Sequence, residues 1–300
     1  MLFDPRTSIV VLTHNRVDEL SRTLAHLIAL PGRLPLIVVD NASTDGTSAR
    51  IRHDFPQVQL VRCDDNLGAA GRNAGVEQVR TPYVAFCDDD TWWAPDALQR
   101  AGDLLDAHPR VAAVAARVLV GPQGREDPTC RFMAHSPLQA NDLPGPALIG
   151  FMAGAVVMRT DAFRAAGGYE RRLFIGCEER LLGLDLASHG WQMVYAADVV
   201  THHHPSPSRD AGGRRVLHSR NTLWIAWMRL PWSSLWHETR RVLREAAASD
   251  QLAAVLRQSL AGLPWVLRQR RVLSPEVEDM RRQVLGGPPR RAVKPNPARA

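Results

Sequence analysis

The chain has 300 residues, 45% of them apolar and 23% charged, with a formal net charge of +6. That length carries one large domain or two modest ones, and the balance is that of a soluble globular protein, which excludes global disorder, collagen and a disulfide scaffold. Cys63, Cys87, Cys130 and Cys177 are far apart with no CxxC pair, so zinc fingers and redox dithiols are not expected and the thiols read as reduced and buried.

Asp4 and Arg6 interrupt the opening residues, so no secretory leader is expected there. Ser8 to Thr13 reads as a buried strand. Leu20, Leu24, Leu27 and Ile28 then recur at helical spacing up to Pro31-Gly32. Strands follow at Leu36–Asp40, Val58–Arg62 and Tyr83–Cys87, separated by a short helix ending before Pro56 and a helix over 68–80. A helix over 95–108 is predicted to open on Pro95 and Asp96. The chain continues with a long strand at 111–120, a Gly/Pro-rich loop to Gly150, a strand at 155–159, a helix at 178–189 and a strand at 193–197. Alternating strands and helices predict an α/β fold with a mostly parallel, Rossmann-like sheet and helices on both faces, in which ligands bind at the carboxyl ends of the strands. Four strands end there in polar runs: Thr13-His14-Asn15, Asp40-Asn41, Asp64-Asp65-Asn66 and Asp88-Asp89-Asp90.

The run Asp88-Asp89-Asp90 closes an apolar strand, and three adjacent carboxylates repel one another. Strand alternation points Asp88 and Asp90 the same way, a hard oxygen pair suited to Mg2+ or Mn2+. A solvated turn capping the next helix is the plainer alternative. The GxGxxG and GxxxxGKS fingerprints are absent, which disfavours a nicotinamide enzyme and a P-loop ATPase.

The strings SIVVLTHNR, IVVDNASTDGT, NLGAAGRNAGV and VAFCDDDT, in that order over residues 7–205, resemble a family 2 glycosyltransferase of the GT-A fold. The later HSRNTLWIAW is similar to the segment that follows the catalytic domain in rhamnosyltransferase-like members. The resemblance implies a nucleotide-diphosphate sugar donor, a divalent metal (Mn2+ or Mg2+) and an inverting displacement onto an acceptor hydroxyl. By the same resemblance Thr13 and Asn15 lie at the nucleoside, and Asp40 reads a uracil or thymine imide, its alternative being a turn cap. Asn66, Gly68 and Arg72 close over the nucleotide. Asp88 touches the ribose beside Asp89, and Asp90 is the direct metal ligand with Asp88 near it.

Glu178-Glu179 opens a helix and is similar to the family's acidic pair, which implies Glu179 as the general base with Glu178 its rival. One departure is Leu181, where related members often carry a second acidic residue; Asp185 remains as a spare carboxylate. Trp92 and Trp93 are candidates to stack on sugar or acceptor, and Gly154 to floor that pocket. His202 is the first candidate for a further metal ligand and His204 the second, since alternation puts both on one side.

Residues 1–208 hold 19 arginines against 24 acidic residues, while 209–300 hold 18 Arg/Lys against 7. The boundaries expected are therefore a catalytic domain over 1–208, split near 110 into nucleotide-sugar and acceptor halves, a basic helical extension over 209–285, and a disordered tail over 286–300. Trp224, Trp227, Trp232 and Trp236 beside Arg229, Arg240, Arg241 and Arg244 have the pattern of a helix in contact with a membrane surface or a lipid-linked acceptor, the plainer alternative being packing against the catalytic domain. A cytoplasmic enzyme of bacterial surface glycan synthesis, peripheral at the inner face of the plasma membrane, is the expectation. A sugar nucleotidyltransferase is the competing enzyme, disfavoured because its glycine-rich first loop is missing. A nucleic-acid-binding protein is disfavoured because the arginine excess is diffuse, so no nucleic-acid partner is expected.

Overall fold

The structure is a computed structural model and describes residues 6–205 and 212–286; the expected tail from 287 onward lies outside the described residues. The strands are β1 (Thr7–Thr13), β2 (Leu36–Asp40), β3 (Gln59–Arg62), β4 (Tyr83–Asp88), β5 (Thr91–Trp93), β6 (Val111–Val120), β7 (Arg125–Glu126), β8 (Ala147–Leu148), β9 (Val156–Arg159) and β10 (Gln192–His203). The helices are α1 (Val17–Ile28), α2 (Thr47–Asp54), α3 (Gly71–Gln78), α4 (Ala97–Ala107), α5 (Pro128–Ala134), α6 (Thr160–Ala165), α7 (Glu178–Ser188), α8 (Gly212–Arg229), α9 (Trp232–Ala248), α10 (Leu252–Ala261), α11 (Leu263–Arg268) and α12 (Pro275–Val284).

Among the described residues one sheet runs β3-β2-β1-β4-β9-β6-β10-β5, with β7 beside β6 and β8 beside β10. The first four strands are parallel, β9 enters antiparallel between β4 and β6, and β6 and β10 are parallel again. Strands β1 and β2 are continuous apolar runs buried along their length, which requires cover on both faces. Register pairs Thr13 with Asp40 and Leu12 with Asp88, so the polar strand ends stand at one level.

Three sequence expectations need revision. Pro95 and Asp96 precede α4 rather than forming its first turn; Asp96 makes no side-chain cap and pairs instead with Arg100. The loop after β6 contains β7, α5 and β8, short elements whose few residues leave little periodic signal. Strand β10 extends through His203, past a register shift between Ala196 and Val200 against β6.

Helix α3 lies close on the sheet. A Cβ on Gly75 would come within 2.6 Å of Val10 Cγ1 and 2.8 Å of Val39 Cγ2, and one on Gly71 within 2.6 Å of Leu12 Cδ1. Glycines one turn apart set that approach and thereby the position of Arg72.

Helices α8, α9, α11 and α12 share a core with the catalytic half, while α10 packs through Val255 on Leu223, Val242 and Ala246 of α8 and α9. Leu173, Cys177, Leu181 and Leu184 pack with Trp224, Ile225, Met228 and Val266. Trp224 donates from Nε1 to the Ser259 carbonyl (2.9 Å) and Trp227 to Thr239 Oγ1 (3.0 Å). The aromatic set therefore divides: Trp224 is core and Trp227 half-buried, while Trp232 and Trp236 stay 69% and 62% exposed.

Gly75→Ala should destabilise the protein by about 1–3 kcal/mol through overpacking against two β-branched side chains. Chemical denaturation checks it; an unchanged midpoint would mean that α3 is free to shift.

Candidate functional site

The site forms where β1, β2 and β4 end and α7 begins. The turn after β2 is built on Asp40, which is fully buried. Its Oδ1 accepts from the Ser43 amide (2.8 Å), and its Oδ2 accepts from Ser48 Oγ and Arg62. Burial opposes its ionisation, yet the bonds from Ser43 and Ser48 and the Arg62 charge outweigh that and hold its pKa below the usual carboxylate range. This geometry fits the turn cap and leaves no exposed carboxylate oxygen for a base. Asn15, at φ 53, accepts from the Thr44 amide (2.7 Å) and ties the β1 end to the same turn.

Thr13 is also withdrawn from solvent: its hydroxyl donates to Asp89 Oδ2 at 3.0 Å. Asp89 in turn receives Arg16 Nη1 at 2.8 Å, so these two residues brace the acidic run from behind. Burial pushes the Asp89 carboxyl up to about 6 against the pull of Arg16, with the Asp88 and Asp90 charges adding to the rise. Arg16 also reaches Asp90 Oδ2 (3.3 Å). Nothing in the sequence singled out Arg16 for a role; its place directly after the polar run Thr13-His14-Asn15 was the available signal.

Asp90 is buried and its Oδ1 lies 3.5 Å from His203 Nε2. The triplet is thus oriented opposite to expectation. His202 pairs with Trp92 across β10 and β5, and its ring stacks near that indole, 5.8 Å between centroids; His204 sits 4.6 Å from it. The register shift at 196–200 sets which histidine faces the carboxylates. Trp92 is sandwiched further by His26 at 4.1 Å, and Trp93 is core, so neither indole is offered to a sugar.

Asp88 keeps 42% of its side chain exposed and pairs with Arg72. Gly154 backs it: a Cβ there would lie 2.7 Å from Asp88 Oδ2. Asn41, a strand-end residue given no role from sequence, donates to Asn66 Oδ1 (2.8 Å) and to the Gly68 carbonyl (3.0 Å) and accepts from the Leu67 amide. At φ 59, Gly68 packs so closely that a Cβ would collide with the Phe174 carbonyl, which accepts from the Ala69 amide at 2.7 Å. The Asn66–Arg72 loop is therefore stitched to the loop that leads into α7.

Arg72 is buried beneath these groups. Burial works against its charge, but Asp88, then Tyr169, Glu178 and Glu179, hold its pKa above the ordinary value. Glu178 is buried with Oε2 unpartnered, and burial raises its pKa. Glu179 is half-buried; burial and the neighbouring Glu178 charge raise it to about 7. Glu179, not Glu178, lines a cavity of about 1170 Å³ whose wall includes Phe132, Phe151, Leu184, Arg180 and Leu285. Asp185 is removed from candidacy, because Arg229 holds both its oxygens.

Asp88, Asp90 and His203 supply hard oxygen and imidazole donors of the kind Mn2+ or Mg2+ takes. Among the described residues no group of three such side chains is placed to hold a metal ion.

A family model described as Glycosyl transferase family 2 matches residues 8–166. An N-acetylglucosaminyl-diphospho-decaprenol L-rhamnosyltransferase of Mycobacterium tuberculosis is 27% identical over 251 residues, covering 71% of this chain and 81% of that one. A succinoglycan biosynthesis protein of Rhizobium meliloti is 31% identical over 160 residues, covering 52% of this chain and 44% of that one. Among solved structures, a Pyrobaculum calidifontis mannosyltransferase in complex with GDP-Man and Mn2+ superposes with a TM-score of 0.58 at 20% identity, covering 88% and 84%. S. aureus TarS 1–349 with UDP-GlcNAc gives 0.56 at 16%, covering 93% and 79%. These likenesses show the GT-A fold.

Asp40→Ala should cost about 1.5–3 kcal/mol of stability at pH 7, the scale of hydrogen bonds to a charged group. The folded pKa is depressed, so this contribution is complete above the unfolded value of about 3.9 and fades as pH falls through the folded one. Denaturation across pH checks it. Unchanged stability with weakened nucleotide binding would return Asp40 to base recognition.

Proposed function

Because the chain belongs to glycosyl transferase family 2, we propose that it moves a sugar from a UDP- or dTDP-linked donor to an acceptor hydroxyl, with inversion and a divalent cation. The observation that carries this reading is the pairing of two acidic centres through one buried cation: Arg72 contacts Asp88 and is biased by Glu178 and Glu179. Asp88 and the Asn66–Gly68 loop, with Arg72, hold the donor. Asp90 and His203 would hold Mn2+ or Mg2+; the chemistry such an ion supplies is neutralisation of the leaving diphosphate. Glu179 takes the proton from the acceptor hydroxyl at its carboxylate, and its pKa of about 7 suits a base working near neutrality. Burial keeps that pKa high, and repulsion from Glu178 adds to it.

The acceptor assigned is lipid-linked, in bacterial surface glycan synthesis. The support is the apolar wall of the cavity beside Glu179, and the rhamnosyltransferase relative whose name specifies a diphospho-decaprenol carrier. No described helix is long and apolar enough to cross a membrane. Exposed Trp232, Trp236, Arg240 and Arg244 recur every four residues along α9, which supports peripheral contact with an anionic surface at the inner face of the plasma membrane.

A panel of UDP- and dTDP-sugars, assayed for nucleoside diphosphate release with a prenyl-diphosphate-linked sugar, tests the reading. Glu179→Gln should lower kcat by about 10²–10⁴ while donor affinity holds. The wild-type rate should fall below about pH 7 as the Glu178–Glu179 pair takes up a proton. A fully active Glu179→Gln enzyme would move the base elsewhere. Trp232→Ala/Trp236→Ala should abolish sedimentation with anionic vesicles at low salt; equal sedimentation of wild type and variant would end the membrane assignment.

A further inference from the structure

We propose that Asn221, on α8 of the helical extension, is a positioning residue for the acidic pair, so that the extension completes the active site. The inference rests on Glu179 as the base and adds what holds it.

The segment between the 3-10 turn at Arg171–Leu173 and α7 has unusual backbone. Phe174 and Cys177 have φ of 63° and 69°, and Gly176 has 90°. Two non-glycine residues in the left-handed region within four positions persist only where the surroundings dictate them. No side chain caps α7; its N-cap is the left-handed Cys177 itself. The directions of Glu178 and Glu179 therefore depend on this segment.

What dictates it comes from α8. Asn221 is fully buried, and the two N–H groups of its Nδ2 are shared among three carbonyls within hydrogen-bond distance, those of Leu173 (2.9 Å), Ile175 (3.1 Å) and Gly176 (2.6 Å). Its Oδ1 accepts from Arg220 Nε (3.0 Å) and Nη2 (2.8 Å), which fixes the amide orientation. Arg220 also donates to the Leu173 carbonyl (2.9 Å), and its guanidinium lies 4.3 Å over Trp224. His218 and Thr222, one turn apart on α8, sit 3.3 and 3.6 Å from Cys177 Sγ. The opposite side of the segment is bonded to the donor loop through Phe174 and Ala69. One side chain thus gathers three carbonyls of a strained loop that joins the donor loop to the base. An amide is needed there: aspartate has the same shape and only acceptors.

The test uses the full chain with Asn221→Asp. Hydrogen exchange of amides 174–180 should quicken by about tenfold or more, with the β1–β4 core unchanged. With whichever UDP- or dTDP-sugar of the panel turns over, kcat should fall about ten- to a hundredfold, the scale of a misplaced catalytic group, with donor KM within about twofold. On a Glu179→Gln background the same substitution should cost nothing further, because both changes remove one function. Unchanged exchange, or losses that multiply, would overturn the proposal. If Asn221→Asp does not fold, Arg220→Ala, which frees the Asn221 amide, is read by the same measures. Glu179→Gln at wild-type rate would overturn the base assignment, and exchange alone would then decide the clamp.

Discussion

Repulsion among five carboxylates is the constraint to which the rest of the structure answers. Asp88, Asp89, Asp90, Glu178 and Glu179 come together in partly buried surroundings, where unlike charges attract and like charges repel far more than in water. Two arginines offset them: Arg16 behind the acidic run, bridging Asp89 and Asp90, and Arg72 between Asp88 and the glutamates. The parallel register that brings Thr13, Asp40 and Asp88 to one level creates the crowding, and the close approach of α3 through Gly71 and Gly75 delivers one of the compensating charges. Compensation is incomplete. The raised pKa values of Asp89, Glu178 and Glu179 record burial first and the neighbouring negative charges second. An excess of negative charge attracts cations and opposes an unaccompanied anionic diphosphate.

Much of this was legible in the chain. The buried strands announced themselves as β-branched runs, and their polar ends marked the ligand side of the sheet before any geometry was known. The acidic run and the glutamate pair stood out as carboxylates at strand and helix termini. What stayed hidden depended on register. Alternation alone assigned His202 and His204 to the metal, but the irregularity between Ala196 and Val200 turns His203 toward Asp90 and leaves the other two on Trp92. Side-chain type could not separate Thr13 and Asp40 as ligand contacts from the turn and bracing roles they fill, because the hydrogen-bond partners decide it.

The extension is a second lesson of the same kind. Its basic charge and tryptophans read either as surface-seeking or as packing against the catalytic domain. The packing divides that set: Trp224 and Ile225 enter a core shared with α7, Arg229 takes Asp185, and Trp232, Trp236, Arg240 and Arg244 remain exposed. A helix that supplies Asn221 to three carbonyls beside the acidic pair is bonded to the catalytic half through buried polar groups, which are costly to separate.

The central claim is that the acidic cleft takes a nucleoside diphosphate only with a cation held at Asp90 and His203. Calorimetry of UDP and dTDP binding, with Mn2+ and with chelator, tests it most directly. The account predicts that Mn2+ strengthens binding by about tenfold or more, which is about 1.4 kcal/mol, and that the gain disappears in Asp90→Ala and shrinks in His203→Ala but not in His202→Ala. Equal affinity in chelator, or a cation effect that survives Asp90→Ala, would contradict it.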